Sequence, residues 1–137
     1  MAKVVITGRI PAIAVEQLRA QHDVVSWDEP VAITREELLK RVKGADAIVS
    51  LLTEKVDAEL LDAAGPQLKV VSNVAVGYNN IDVPACKERN VLVTNTPGVL
   101  TEATADIAMA LILMSTRRLA EGERVIRKQE PWQWGMF

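Results

Sequence analysis

Residues 46–76, DAIVSLLTEKVDAELLDAAGPQLKVVSNVAV, hold the reading on which the fold turns. An apolar run at 46–52 predicts a strand, DAELLDAA at 57–64 a helix with Asp57 at its start, and LKVVSNVAV at 68–76 a second strand. Both strands are almost continuously apolar, the pattern of strands covered on two faces in a parallel sheet. The same alternation extends outward. KVVITG (3–8) precedes a helical stretch at 11–21 with Pro11 in its first turn, and DVVSW (23–27) precedes TREELLKRV (34–42), which Thr34 can cap with Glu37 three residues on. On the other side, DVPACKERN (82–90) reads as a short helix and VLVTN (91–95) as a fifth strand.

Five strands alternating with helices predict an α/β fold with a flavodoxin-like parallel sheet, order 2-1-3-4-5, joined by right-handed crossovers. Residues 1–99 form that domain, and 100–137 a separate helix and tail. From Thr101, the expected cap, one helix is predicted to reach Lys128, roughly 40 Å at about 1.5 Å per residue. Its first turns carry Glu102 and Asp106, and its far end Arg124, Arg127 and Lys128, the polarity a helix dipole favours. IAMALILM (107–114) is apolar on every face, which calls for a covering partner. At eight residues it is too short for the ~20 of a bilayer span. QEPWQWGMF (129–137) ends on two tryptophans and a phenylalanine with no further element to pack into, so the chain reads as interrupted.

The chain has 137 residues, 49% of them hydrophobic, enough for one domain with a sizeable core. A net charge of −2 without a dense basic cluster speaks against a nucleic-acid partner. The single cysteine, Cys86, excludes an internal disulfide framework and a cysteine-built metal site; it reads as a buried free thiol in a reducing compartment. The N-terminus MAKVVITGRI lacks signal-peptide regions, and a cytoplasmic location is the expectation.

In such a sheet the ligand crevice lies beyond the carboxyl ends of the strands. The loops there are TGRIP (7–11), LLTEK (51–55), AVGYNN (75–80) and NTPGV (95–99). Gly77 and Gly98 permit unusual backbone angles, and N–H donors around Leu52, Thr53, Val76 and Gly77 suit a small carboxylate. Spacing alone leaves open that these are ordinary turn residues. Other chemistries fit less well. A phosphoacceptor aspartate is missing where Ser50-Leu51-Leu52 stands, TGRIPA lacks the hydroxyl-rich loop of a flavin site, and no GxGxxG follows any strand. His22 precedes the second strand, at the opposite end of the sheet from these loops, and is not expected to be a catalytic base. Asp46, Asp57, Asp82 and Glu102 read as strand-edge or helix-start residues.

The segment VVSNVAVGYNNIDVPACKERNVLVTNTPGVLTEATADIAMALILMSTRRL, above all VGYNNID and VTNTPGVLTEATAD, resembles the N-terminal part of the D-isomer-specific 2-hydroxyacid dehydrogenases, most closely the glyoxylate/hydroxypyruvate reductases. The resemblance spans essentially the whole chain. It implies that 1–99 is a substrate domain whose Leu52, Thr53, Val76 and Gly77 backbone receives the carboxylate of a 2-oxo or 2-hydroxy acid. Thr104 matches a position that contacts the dinucleotide, and Asn95, Thr96 and Pro97 shape the cleft edge. It further implies that the NAD or NADP domain, with the catalytic arginine, glutamate and histidine, would follow Phe137. No catalytic residue is therefore assigned to this chain, tight cofactor binding is not expected, and NAD versus NADP is not legible. The expectation is a truncated reductase, inactive alone, binding its acid weakly. In the family the long helix lies at the dimer boundary, so a homodimer is expected, with a helix swap between the two copies as one arrangement. The alternative is a free-standing interaction or regulatory module that associates through its apolar helix. Asn79 stands where aspartate is common in the family, a minor change.

Overall fold

Short β-branched runs pair in parallel because each carries two apolar faces and none can leave either face to water. A computed structural model describes residues 1–129, 131 and 133–136. The expectations for Trp132 and Phe137 therefore fall outside the described residues, whereas Trp134 is exposed and in no regular element. Two compact units form, Met1–Gly98 and Val99–Phe137.

The first unit contains β1 (Lys3–Ile6), α1 (Ala12–Arg19), β2 (Asp23–Ser26), α2 (Arg35–Arg41), β3 (Ala47–Ser50), α3 (Ala58–Ala64), β4 (Val70–Asn73), α4 (Val83–Glu88) and β5 (Leu92–Thr94). The sheet runs β2-β1-β3-β4-β5, all parallel, the predicted flavodoxin-like order. Val5, Ile48, Val71 and Val93 stand in one cross-strand row. The first three are fully buried in a cluster with Leu38 and Val42 of the α2 region, Leu60 and Leu61 of α3 and Cys86 of α4. Val4 and Ile6 alternate to the opposite face, where Val15 of α1 covers them. Full burial of each large aliphatic side chain stabilises the unit by about 1.5–3 kcal/mol.

Helix starts follow the side chains that can satisfy them. Thr34 Oγ1 accepts from Glu37 N–H (3.3 Å), Asp57 from Leu60 N–H (3.1 Å) and Asp82 from Ala85 N–H (3.0 Å). Asp46 sits at a strand edge, accepting from Lys3 N–H at 2.8 Å. The strands are shorter than the apolar runs suggested: the run at 68–76 pairs only as Val70–Asn73, and the run at 46–52 as Ala47–Ser50. Residues 51–52 and 74–76, which follow the two strands, are loop at the sheet's carboxyl edge, while Asp46, Leu68 and Lys69 precede them at the opposite edge.

In the second unit the expected single helix is two, α5 (Thr101–Thr116) and α6 (Leu119–Lys128). Arg118 between them has φ 52°, a left-handed conformation that cannot continue a right-handed ladder. Thr116 Oγ1 turns back onto Ile112 O (2.9 Å), and the Arg118 guanidinium grips both Glu121 oxygens (2.6 and 2.8 Å) at the new start. Thr101 is also no cap: it is the first helical residue, behind Leu100, and α5 has no side-chain cap. Among the described residues, no helix is long and apolar enough to cross a membrane.

Candidate functional site

Polar side chains are rare in the first unit's interior, and those present gather at the carboxyl edge of the sheet: Thr7, Ser50, Glu54 and Asn73 are all buried. A buried polar group is stable only with partners, so each must be satisfied there. Glu54 accepts from Leu51 N–H (2.9 Å), from Thr7 Oγ1 (2.5 Å) and from Thr53 Oγ1. Its carboxylate thus staples the turn after β3 to the end of β1. Gly8 makes that approach possible, since a Cβ there would meet Leu51 Cδ1 at 2.3 Å.

A second group joins the turn after β3 to the turn after β4. Asn80 Nδ2 donates to Leu51 O and Glu54 O, both at 3.0 Å, and exchanges hydrogen bonds with the Asn73 carboxamide. Asn73 Nδ2 also donates to Gly77 O (2.9 Å), while Ser50 Oγ donates to Asn73 Oδ1 (3.0 Å). Backbone bonds Val56 N–H to Asn80 O and Asp82 N–H to Val56 O, each 2.8 Å, close the pairing of the two loops. Below them, Arg35 Nη1 holds Lys55 O at 2.7 Å while the same guanidinium binds Asp57 and Glu59. Burial alone would raise the Asp57 carboxyl; the Arg35 guanidinium and the Leu60 N–H outweigh it and hold the carboxyl below its usual range.

The predicted donors lie on these two tied loops. Leu52, Thr53, Val76 and Gly77 are exposed, and among the described residues their backbone N–H groups donate to no acceptor. Asn95 and Thr96, from the loop after β5, reach the same place: Asn95 Nδ2 donates to Val76 O and Thr96 N–H to Ala75 O, both at 2.8 Å. Tyr78, Val83, Val93 and Asn95 line an adjoining hollow of about 210 Å³. Pro97 is exposed beyond them. Of the two glycines whose backbone freedom the sequence offers, only Gly98 uses it, at φ 79°. Gly77 has no positive φ, and a Cβ on it would meet nothing within 4 Å; what its missing side chain leaves is open space beside its N–H.

Thr104 belongs to the other unit, in the first turn of α5, with its N–H on Leu100 O at 2.9 Å. His22 is half-buried at the start of β2, its N–H on Leu18 O. Cys86 is fully buried; burial first, then the charge of Asp82, push its thiol up. No group of three or more His, Cys, Asp or Glu among the described residues could hold a metal ion. From sequence the donors are legible but no holding role for Glu54, Asn73, Ser50 or Asn80 is; the visible signals are an asparagine ending an apolar strand and the Asn79-Asn80 pair.

A family model described as "D-isomer specific 2-hydroxyacid dehydrogenase, catalytic domain" matches residues 4–127. The chain belongs to this dehydrogenase family. The glyoxylate reductase of Thermococcus onnurineus is 47% identical over 128 residues, and that of Thermococcus kodakarensis 48%. In both cases the match covers 93% of this chain and 38% of the relative, so the chain spans well under half the length of these dehydrogenases. Among solved structures, a Thermus thermophilus protein superposes with a TM-score of 0.89 at 38% identity, over 98% of this chain and 43% of that one. An NADPH-dependent glyoxylate/hydroxypyruvate reductase from Sinorhizobium meliloti, in complex with NADP and malonate, gives 0.70 at 30% identity, over 93% and 38%. No loop of this sequence carries the glycine-rich GxGxxG pyrophosphate cradle.

Proposed function

We propose that the unit Met1–Gly98 binds the carboxylate of a small 2-oxo or 2-hydroxy acid on the N–H groups of Leu52, Thr53, Val76 and Gly77. It does so as the substrate-binding part of an NAD(P)-dependent reductase of the glyoxylate/hydroxypyruvate type, acting in the cytoplasm. One observation carries the reading: four N–H groups without an acceptor among the described residues, on two loops locked together at the carboxyl edge of the sheet. Malonate in the Sinorhizobium relative, a small carboxylate, supports it. Thr104 is assigned to the dinucleotide contact of the whole enzyme. With no GxGxxG and no catalytic residue assigned within these 137 residues, the chain alone binds the acid weakly, with Kd on the order of 1 mM, and does not turn it over. Titration with glycolate followed by calorimetry, beside an NADH and NADPH oxidation assay with glyoxylate, tests both halves. Absence of saturable binding refutes the site, and measurable oxidation refutes the inactivity.

A second reading, a non-catalytic module that associates through α5, is favoured by the exposure of Ile107, Met109, Leu111, Ile112, Leu113 and Met114. Within either reading α5 makes a homodimer, by swapping or by direct apposition, because burial stabilises such a face by roughly 25 cal/mol per Å². A clean monomer in light scattering at high concentration refutes the dimer.

A further inference from the structure

A trans peptide group is planar, with its C=O and N–H on opposite sides, so a grip on the carbonyl fixes the direction of the N–H behind it. Three of the four candidate donor peptides are gripped in this way. The peptide carrying Leu52 N–H is held at Leu51 O by Asn80 Nδ2, 3.0 Å away. The peptide carrying Gly77 N–H is held at Val76 O by Asn95 Nδ2, 2.8 Å away, and the one carrying Val76 N–H is held at Ala75 O by Thr96 N–H. Thr53 is tethered differently, through its hydroxyl on Glu54. We infer that Asn80 and Asn95 are positioning residues for anion binding: their carboxamides grip the carbonyls behind Leu52 and Gly77 and thereby aim those two N–H groups outward, toward the ligand.

The inference rests on the carboxylate-site reading and adds to it the reason the donors converge. Neither asparagine touches the ligand in this account. Carboxamides suit the task because a single Nδ2 carries two donors. Asn80 Nδ2 lies 3.0 Å from both Leu51 O and Glu54 O, with Asn73 Oδ1 a longer third acceptor at 3.3 Å, and so fixes the turn after β3 at two carbonyls. Its partners are in turn buried: Asn73 is 2% exposed, and Ser50, which donates to Asn73 Oδ1, is 0% exposed. Asn95 supplies the grip from a third loop, so the Gly77 N–H takes its direction from a residue nineteen positions beyond Val76. An N–H left unaimed would lose its share of a charge-assisted bond and would also have to be ordered on binding.

The test uses the isotope-labelled 137-residue chain and two readouts, N–H vector directions from residual dipolar couplings without ligand and amide shifts on titration with glycolate. In the unsubstituted chain glycolate shifts the Leu52, Val76 and Gly77 amides saturably. Asn95→Ala turns the Gly77 N–H vector and weakens glycolate about fivefold, the size of one net hydrogen bond, while couplings in β1, β3 and β4 stay unchanged. Asn95→Gln, which keeps the carboxamide donor, recovers part of the affinity. Asn80→Ala does the same at Leu52; should that variant unfold, Asn95→Ala decides alone, because Asn95 grips a single carbonyl at the sheet edge. An unchanged Gly77 vector and unchanged glycolate affinity in Asn95→Ala overturn the positioning role and leave the carboxylate site standing. No glycolate response in the unsubstituted chain overturns the carboxylate site and the positioning role together.

Discussion

Replacing Gly77 by alanine separates a glycine kept for the backbone from one kept for access. A Cβ on Gly77 meets nothing within 4 Å, and its φ lies outside the left-handed region. Stability should therefore not fall; loss of unfolded-state freedom should raise it by about 0.4–1 kcal/mol. For a unit of this size, that is a rise in Tm of up to about 4–8 °C. Gly8→Ala is the internal contrast. Its Cβ would lie 2.3 Å from Leu51 Cδ1 and 3.2 Å from Leu51 Cγ, so the Leu51 side chain has to move, at a cost of about 1–3 kcal/mol. Its Tm should fall by about 4 °C or more. Binding is expected to order the two variants the other way at Gly77: a methyl beside an N–H that meets the ligand weakens glycolate by about tenfold, as expected when a charge-assisted bond is lost. Thermal melts with and without glycolate read both quantities on one sample. If Gly77→Ala loses as much stability as Gly8→Ala, the glycine serves the backbone. If it binds glycolate like the unsubstituted chain, the Gly77 N–H is not a donor to the acid.

Asn80→Ala removes the bonds to Leu51 O, Glu54 O and Asn73 together and should cost about 2–4 kcal/mol, seen as a urea midpoint lower by about 1–2 M with an unchanged slope; a loss under about 0.5 kcal/mol refutes the clamp. The Asp57 carboxyl is depressed in the folded chain, so its stabilising contribution is present above the unfolded value of about 3.9 and is lost as pH falls through the lower folded value. Arg35→Gln should flatten that part of the stability profile in acid denaturation, and an unaltered profile would exclude the pair as its source. Cys86, fully buried with its thiol pushed up, should react with an aromatic disulfide reagent only at the rate of unfolding, and rapid labelling of the native chain would contradict the packing of α4.

What the sequence disclosed and what it concealed divide along the range of the interactions involved. Sheet order and helix positions follow from periodicity within a dozen residues, and caps such as Asp57 and Asp82 act three residues away. The break between α5 and α6 left no such mark, because Arg118 takes a left-handed conformation without a glycine or proline to announce it, while Gly122 sits inside α6. Loop positions of the donors were legible, since the carboxyl edge is a property of the topology. Their fixation was not. Glu54 follows Thr53 in a polar turn and reads as solvated, yet its hydroxyl partner Thr7 is 47 residues away; Asn80 finds its carbonyls 26 and 29 residues away. Such pairs become visible only when the sheet has brought β1, β3 and β4 into neighbouring positions. Asn73 is the residue at which the two kinds of information meet. In an apolar run an asparagine is costly unless its carboxamide is satisfied, so its presence implies polar partners at that depth even before they can be named. In the folded chain those partners are Ser50, Asn80 and Gly77 O, which join the end of β3 to the glycine loop after β4.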